Sequence, residues 1–200
     1  MKQSDLPLLI LILQIMRERS IGRYKLSQLL SVSKAKVRSL LKFLGENNLI
    51  EPSRGRGGTR LTSQGKELNI EIAKYIKLDT NYQSAKISFP LLFTNKSYSI
   101  IYLNSDQSIT NGIYERDLAV RHGCIGAISL ISRNNAWQFP NSGNDAEGLE
   151  ISDYTLLNLY KFCIITIADN QGISNLGAMS IAFYHLIDKI ESVFTKKIQP

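Results

Sequence analysis

The chain is poor in the residues that carry metal and nucleophile chemistry. Its 200 residues hold two cysteines, Cys124 and Cys163, and two histidines, His122 and His185. Two cysteines build neither a disulfide scaffold nor a cysteine-based zinc site. The expectation is therefore a reduced, cytoplasmic setting with no metal and no cofactor. Long apolar runs are missing too: "LPLLILILQIM" at 6–16 is too short to span a bilayer as a helix. Read as a signal peptide it also fails. Asp5 stands where a basic leader belongs, Arg17, Glu18 and Arg19 follow at once, and no small-residue cleavage site appears. The run predicts a buried first helix and no membrane partner. With 44% hydrophobic and 20% charged residues, the chain has enough apolar material for one good core or two small ones, and too much for wholesale disorder.

Acidic residues are scarce at one end only. Residues 1–78 carry 15 Lys/Arg against 6 Asp/Glu, and residues 79–200 carry 9 against 11. The first two-fifths of the chain therefore carries +9 and the remainder −2, which together make the formal net charge of +7. Such asymmetry suggests two domains with different partners, a polyanion for the basic one.

Within that basic part the pattern is readable. Ser4 or Asp5 caps the first helix, with Pro7 in its first turn. Apolar nearly all round, this helix is predicted to serve as a core or dimer-contact element. Gly22 interrupts the chain, "RYKLSQLL" (23–30) makes a short second helix, and "SVS" (31–33) a tight turn. The third helix is "KAKVRSLLKFLGENN" (34–48), with Ser33 as its cap. Val37, Leu40, Leu41 and Leu44 face the core, which leaves Lys34, Lys36, Arg38, Ser39 and Lys42 largely on the exposed side. "LIEPS" (49–53) and "GTRLT" (58–62) read as two strands, and Gly55, Gly57 and Gly58 form the hairpin tip between them. Thr62 or Ser63 then caps a helix over 63–78.

The sequence of helix, short helix, turn, "SKAKVRSLLKFLGENNLIE", basic hairpin and "RLTSQG" resembles the winged helix-turn-helix domain of prokaryotic transcription regulators, over residues about 5–78. The resemblance implies three helices plus a two-stranded wing, with the 34–48 helix in the major groove of double-stranded DNA. The 52–60 hairpin would then lie along the backbone or minor groove. Base readout is expected from Ser33, Lys34, Lys36 and Arg38, and phosphate contacts from Lys42, Arg54, Arg56 and Arg60. If all seven cations engage, affinity should fall as about the sixth power of salt concentration.

The basic loop "PSRGRGGTRLTSQG" (52–65) has rival readings. A dinucleotide fingerprint needs a third glycine where Arg60 stands, and a helix rather than a strand after the loop. A P-loop fails at Arg60 and at Glu67, which occupies the Ser/Thr position. A disordered RGG-type tract would be longer and repeated. A solvated loop with incidental charge is the bland alternative.

The second half is less informative. A linker is expected at 79–84 and a domain at 85–200. Strands are expected at 85–93, 97–104, 124–132, 136–140 and 163–169, and helices at 114–123, 151–162 and 173–194, around a polar loop at 141–148. This order predicts an α+β domain with a mixed sheet and flanking helices. In the last helix Leu176, Met179, Phe183, Leu186, Ile190 and Val193 form a stripe suited to packing on the sheet, and secondarily to a homodimer. No nucleophile and base pair is legible, so an enzyme is not expected. Arg121 and His122 at a helix end, and Asp169 and Asn170 in "ADNQG" (168–172), are candidate contacts for a small-molecule effector. The bland alternative for His122 is a helix C-terminal residue placed against the dipole. The whole chain resembles archaeal-type regulators in which a winged helix precedes an α+β domain. The expected function is that of a dimeric, sequence-specific DNA-binding regulator. An enzyme with a docking module, and a protein- or RNA-binding winged domain, are the alternatives.

Overall fold

The computed structural model describes residues 5–17, 19–53, 57–79, 95–141 and 154–198. They form an α+β protein with six helices and two antiparallel sheets. The chain divides into two compact units, Met1–Ala73 together with Ile187–Pro200, and Lys74–Leu186. This division differs from the expected boundary at both ends. The segment just before 79 joins the second unit, and the end of the last helix joins the first.

The first unit begins with α1 (Leu6–Ile15), which buries nine of its ten residues. A helix apolar on every side satisfies its solvation only by being enclosed, and α1 is enclosed within its own chain, packing against α2 (Arg23–Leu30), α3 (Lys34–Glu46) and α4 (Ser63–Ala73). Its one polar buried side chain is partnered. Gln14 Nε2 donates to Asn69 Oδ1 of α4 at 2.6 Å, and Asn69 Nδ2 donates to the Leu13 carbonyl at 3.2 Å. Between α2 and α3 the chain reverses at Ser31, whose φ is 50°, and Ser27 Oγ donates to the Val32 carbonyl at 2.6 Å. Ser33 caps α3 as expected, its Oγ accepting from the Lys36 amide at 3.2 Å.

Strands β1 (Ile50–Pro52) and β2 (Thr59–Leu61) form the expected hairpin. Ile21 exchanges two backbone hydrogen bonds with Thr59, at 2.9 and 3.0 Å, and so binds the α1–α2 connection to the hairpin. Gly58, at φ +83°, makes this approach possible: a Cβ there would lie 2.4 Å from the Ile21 carbonyl oxygen. The "LTSQG" stretch is explained by α4's entry. Thr62, not Ser63, is the cap, accepting from the Gly65 amide at 3.0 Å while donating to the Asn48 carbonyl at 2.6 Å. Gly65 sits so close to Leu49 that a Cβ would fall 2.0 Å from its carbonyl oxygen.

The second unit is built on a five-stranded sheet in the order β3-β4-β7-β5-β6. These strands are β3 (Ile76–Asp79), β4 (Ser97–Leu103), β5 (Gly126–Arg133), β6 (Ala136–Gln138) and β7 (Phe162–Ala168). Every adjacent pair is antiparallel, so the expected mixed sheet is corrected. The reason is topological: β4 and β5 share a direction but are not neighbours, because β7 inserts between them and opposes both. A second correction concerns 74–78. Helical spacing extended through Ile76, yet the chain leaves α4 at Ala73 and pairs Ile76 with Leu103 and Leu78 with Ile101. Edge pairing satisfies the backbone of β3 and buries Ile76 completely, which overrides local periodicity. A third concerns 151–162. The described part is a 3-10 turn, Tyr154–Asn158. Leu156, Leu157 and Tyr160 all enter the core, and the chain must be extended again by Phe162. The expected strand at 85–93 and most of the loop at 141–148 lie outside the described residues.

Alternation along the strands produces two faces. One carries Ile100, Tyr102, Leu130, Trp137, Cys163 and Ile165, packed with Leu156, Leu157 and Tyr160. The other presents Ser99, Ser129 and Thr166 toward α5 (Ile113–Arg121) and the first half of α6 (Gln171–Ile198). Near the start of α6 this second face, which also carries buried Ile101, Leu103 and Ile164, holds a hydrogen-bonded polar group. Ser99 Oγ meets Asn175 Oδ1 at 2.6 Å, Gln171 Nε2 donates to Ser99 Oγ at 2.9 Å, and Thr166 Oγ1 donates to the Ser174 carbonyl at 2.8 Å. Of the α6 stripe, Met179, Phe183, Leu186 and Ile190 are buried within the chain itself, whereas Leu176 and Val193 are only half-buried.

Candidate functional site

The cationic side chains expected on α3 have different surroundings. Val37, Leu40 and Leu44 are buried, so the helix is held with its 34, 38 and 42 positions outward. Lys34 Nζ lies 4.9 Å from the ring centroid of exposed Tyr24, a cation–π contact from α2. Lys36 is ion-paired with Asp5 at the start of α1 and is only partly exposed. Lys42 makes a loose, exposed pair with Glu46 one turn on, at 3.6 Å. Arg38 is exposed and makes no ion pair with any described residue.

Arg60 is held differently again. Its Nη2 and Nε both lie 2.9 Å from Glu51 Oε1, directly across the hairpin in the β1–β2 register. Its charge is thus neutralised by a cross-strand neighbour, and it braces the hairpin. Arg54 and Arg56 lie outside the described residues.

Arg38 and Lys42 converge with Arg23, from the start of α2, on a shallow cleft of about 340 Å³ between α3 and the hairpin. Leu41, Ile50, Pro52 and Thr59 contribute its less charged wall. Sequence reasoning did not single out Arg23. The signal was present, since "RYK" opens α2 with two cations, but only the fold brings position 23 beside position 38. Sequence reasoning also placed Lys36 among the outward cations without seeing that Asp5 lies within its reach.

In the second unit the structure brings the two expected effector stretches to one end of the sheet. Gly126 pairs with Ile167, Gly123 lies against Ile173, and Cys124 Sγ donates to the Ile173 carbonyl at 3.5 Å. The side chains named there have local duties, however. Asn170 Oδ1 accepts from the Ile173 amide at 3.0 Å and so caps α6. Asp169 is paired with Lys96 at 2.6 Å. His122 is the C-cap residue of α5, and desolvation holds its pKa below the usual 6.5, leaving the ring neutral at pH 7. Arg121 is exposed in the last turn of α5.

The buried pair that sequence reasoning missed is His185 with Glu115. His185 Nε2 lies 2.9 Å from Glu115 Oε1, and both side chains are almost inaccessible. The ring stacks on Phe162, and the His185 carbonyl accepts from Ser105 Oγ at 2.9 Å. Seventy positions separate the two partners, so no local spacing rule reveals them. The pair ties α5 to α6.

Comparison with known proteins bears on the fold. No curated protein matches the chain. A hypothetical protein, PH0730 from Pyrococcus horikoshii OT3, shares the fold with a TM-score of 0.76 at 19% sequence identity, over 96% of this chain and 98% of that one. Residues 93–186, which make up most of the second unit, match the family model described as Domain of unknown function (DUF4443).

Proposed function

We propose that the protein is a DNA-binding transcriptional regulator whose first unit is a winged helix-turn-helix. In this reading α3 enters the major groove, the β1–β2 hairpin is the wing, and the second unit dimerises or senses an effector. The observation that carries the reading is the exposed, cationic group formed by Arg23, Arg38 and Lys42 between α3 and the hairpin. Three cations on a shallow surface suit a polyanion with regularly spaced charges. The charge asymmetry of the sequence supports the same partner. Ser33, Lys34 and Arg38 stand nearest the helix start, where base edges are read, while Lys36 contributes through its pair with Asp5. Homodimerisation supplies the second half-site. The stripe on α6 does not favour it, because its central residues are already covered within the chain.

Titration of the full chain with random-sequence duplex DNA at several salt concentrations tests the proposal. A steep inverse dependence on salt is expected. Lys42→Ala, which removes a phosphate contact, should reduce the slope of log K against log salt by about 0.9. Binding that does not depend on salt, or a slope unchanged in that variant, would sink the DNA reading.

A further inference from the structure

The outward face of α5 has the same pattern read from either end: apolar, charged, charged, apolar. Glu115 and Ala119 are buried, so the opposite side of the helix looks to solvent. Ile113, Arg116, Asp117 and Val120 occupy that side at the i, i+3, i+4 and i+7 positions. Ile113 and Val120 are 49% and 47% exposed. Between them Arg116 Nη2 lies 2.8 Å from Asp117 Oδ1, with both side chains half-exposed. Tyr114 flanks the row, and its ring centroid is 4.4 Å from that of Tyr184 on α6. Both of these tyrosines are half-exposed too. All six residues belong to the second unit.

Single exposed apolar side chains are ordinary on a protein surface. Here, however, four of the nine exposed large hydrophobic residues among those described stand on α5 or against it. Tyrosine and arginine are also the residue types that interfaces favour. The order of the residues decides the partner. A two-fold axis perpendicular to α5, midway between 116 and 117, brings position 113 opposite 120 and position 116 opposite 117. Ile113 then meets the partner's Val120, and Arg116 meets the partner's Asp117. Complementing itself under such a rotation is what a closed dimer requires of a surface. A different protein as partner would not require it. From this arrangement we infer that the outward face of α5 is the contact between two copies of this chain, packed antiparallel about that axis, with Tyr114 and Tyr184 beside it. The inference rests on the homodimer proposed above and names its surface, which the covered stripe on α6 does not supply. One nine-residue helix with two flanking rings makes a small interface, so the dimer is expected to be reversible and not obligate.

Sedimentation equilibrium of the full-length protein, without DNA, tests the inference. A monomer–dimer equilibrium is expected, with Kd on the order of 10 μM. Val120→Glu should weaken it at least about tenfold. Ile70→Lys, at the exposed apolar position on α4 of the first unit, should leave it unchanged. The charges give the sharper test. Asp117→Arg and Arg116→Asp each set like charges opposite one another, so either variant alone should dimerise at least about tenfold more weakly. An equimolar mixture of the two sets opposite charges face to face and should associate about as tightly as the unaltered protein. Recovery in the mixture would also show that both variants are folded. Monomers at every concentration up to about 1 mM, full association of Val120→Glu, or a mixture no tighter than its components would each overturn the inference. So would loss of the dimer in Ile70→Lys, which would place the contact in the first unit. No DNA is present, so failure here is read separately from failure of the DNA reading.

Discussion

At the residue scale, two glycines and two cysteines show how local geometry becomes stability. Gly58 and Gly65 allow backbone approaches that no side chain tolerates: a Cβ would meet the Ile21 carbonyl oxygen at 2.4 Å or the Leu49 carbonyl oxygen at 2.0 Å. Alanine at either position should cost about 1–3 kcal/mol in a urea unfolding experiment, with Gly58 bearing an added penalty for its positive φ. Gly45, with open space around it, should accept alanine without such a penalty. The cysteines predict a pH effect of definite sign. Burial pushes the Cys124 thiol from 9.0 up to about 11 and pushes Cys163 further the same way. Between pH 9 and 11 the unfolded chain therefore releases protons that the folded one keeps. This contribution is fully present below pH 9 and is lost as pH rises. The urea midpoint should fall over that interval, and the fall should be shallower in Cys163→Ala. Equal slopes in the two proteins would refute the assignment.

At the element scale, the informative contact is the one between α1 and α4. The sequence marks α1 as apolar all round, and Gln14 is its exception. Its amide is 8% exposed and finds Asn69 on α4, which in turn reaches the Leu13 carbonyl. Asn69→Ala leaves a buried donor unpaired and should cost about 1–3 kcal/mol. Replacing both residues with leucine removes the unsatisfied group and should recover most of that loss. If the double variant is no better than the single one, the pair is not what joins the helices. The same comparison applies to the hairpin. Arg60 and Glu51 are an exposed cross-strand pair, so either one changed to alanine should move stability by less than about 1 kcal/mol. A larger loss would mean the pair carries more of the hairpin than its exposure allows.

At the scale of the whole molecule, the last helix serves two units. Residues up to Leu186 belong with the sheet, and Ile187 onward belongs with the first unit. Ile190 and Phe194 are buried, at 0% and 1% exposure. Phe194→Ala should therefore cost about 3–5 kcal/mol. In native-state hydrogen exchange the loss should appear first in α1, α3 and α4, with β4 and β7 less affected. Preferential loosening of the sheet would contradict the division. A fragment cut at the sequence-based boundary near 79 would also lack this segment, and should unfold more readily than the same unit in the full chain.

What the sequence determined by itself was local. Helix spacing, Ser33 and the glycine-rich hairpin signal placed every element from Leu6 to Leu61 within a few residues, because each depends on neighbours close in the chain. The asymmetric charge, too, was visible without a structure. In the second unit, the strands expected at 124–132 and 136–140 pair as β5 and β6, and the turn residues Asn134 and Asn135 both adopt positive φ. What the tertiary structure alone decided were the choices that depend on distant partners. Edge pairing with β4 turned residues 76–78 from helix to strand, and the insertion of β7 made the sheet antiparallel throughout. Long-range contacts committed Lys36 to Asp5, joined His185 to Glu115 and brought Arg23 beside Arg38. They also buried Ser129 beneath Gly112. Periodicity reports which face of an element is apolar; only the packed chain determines what meets it.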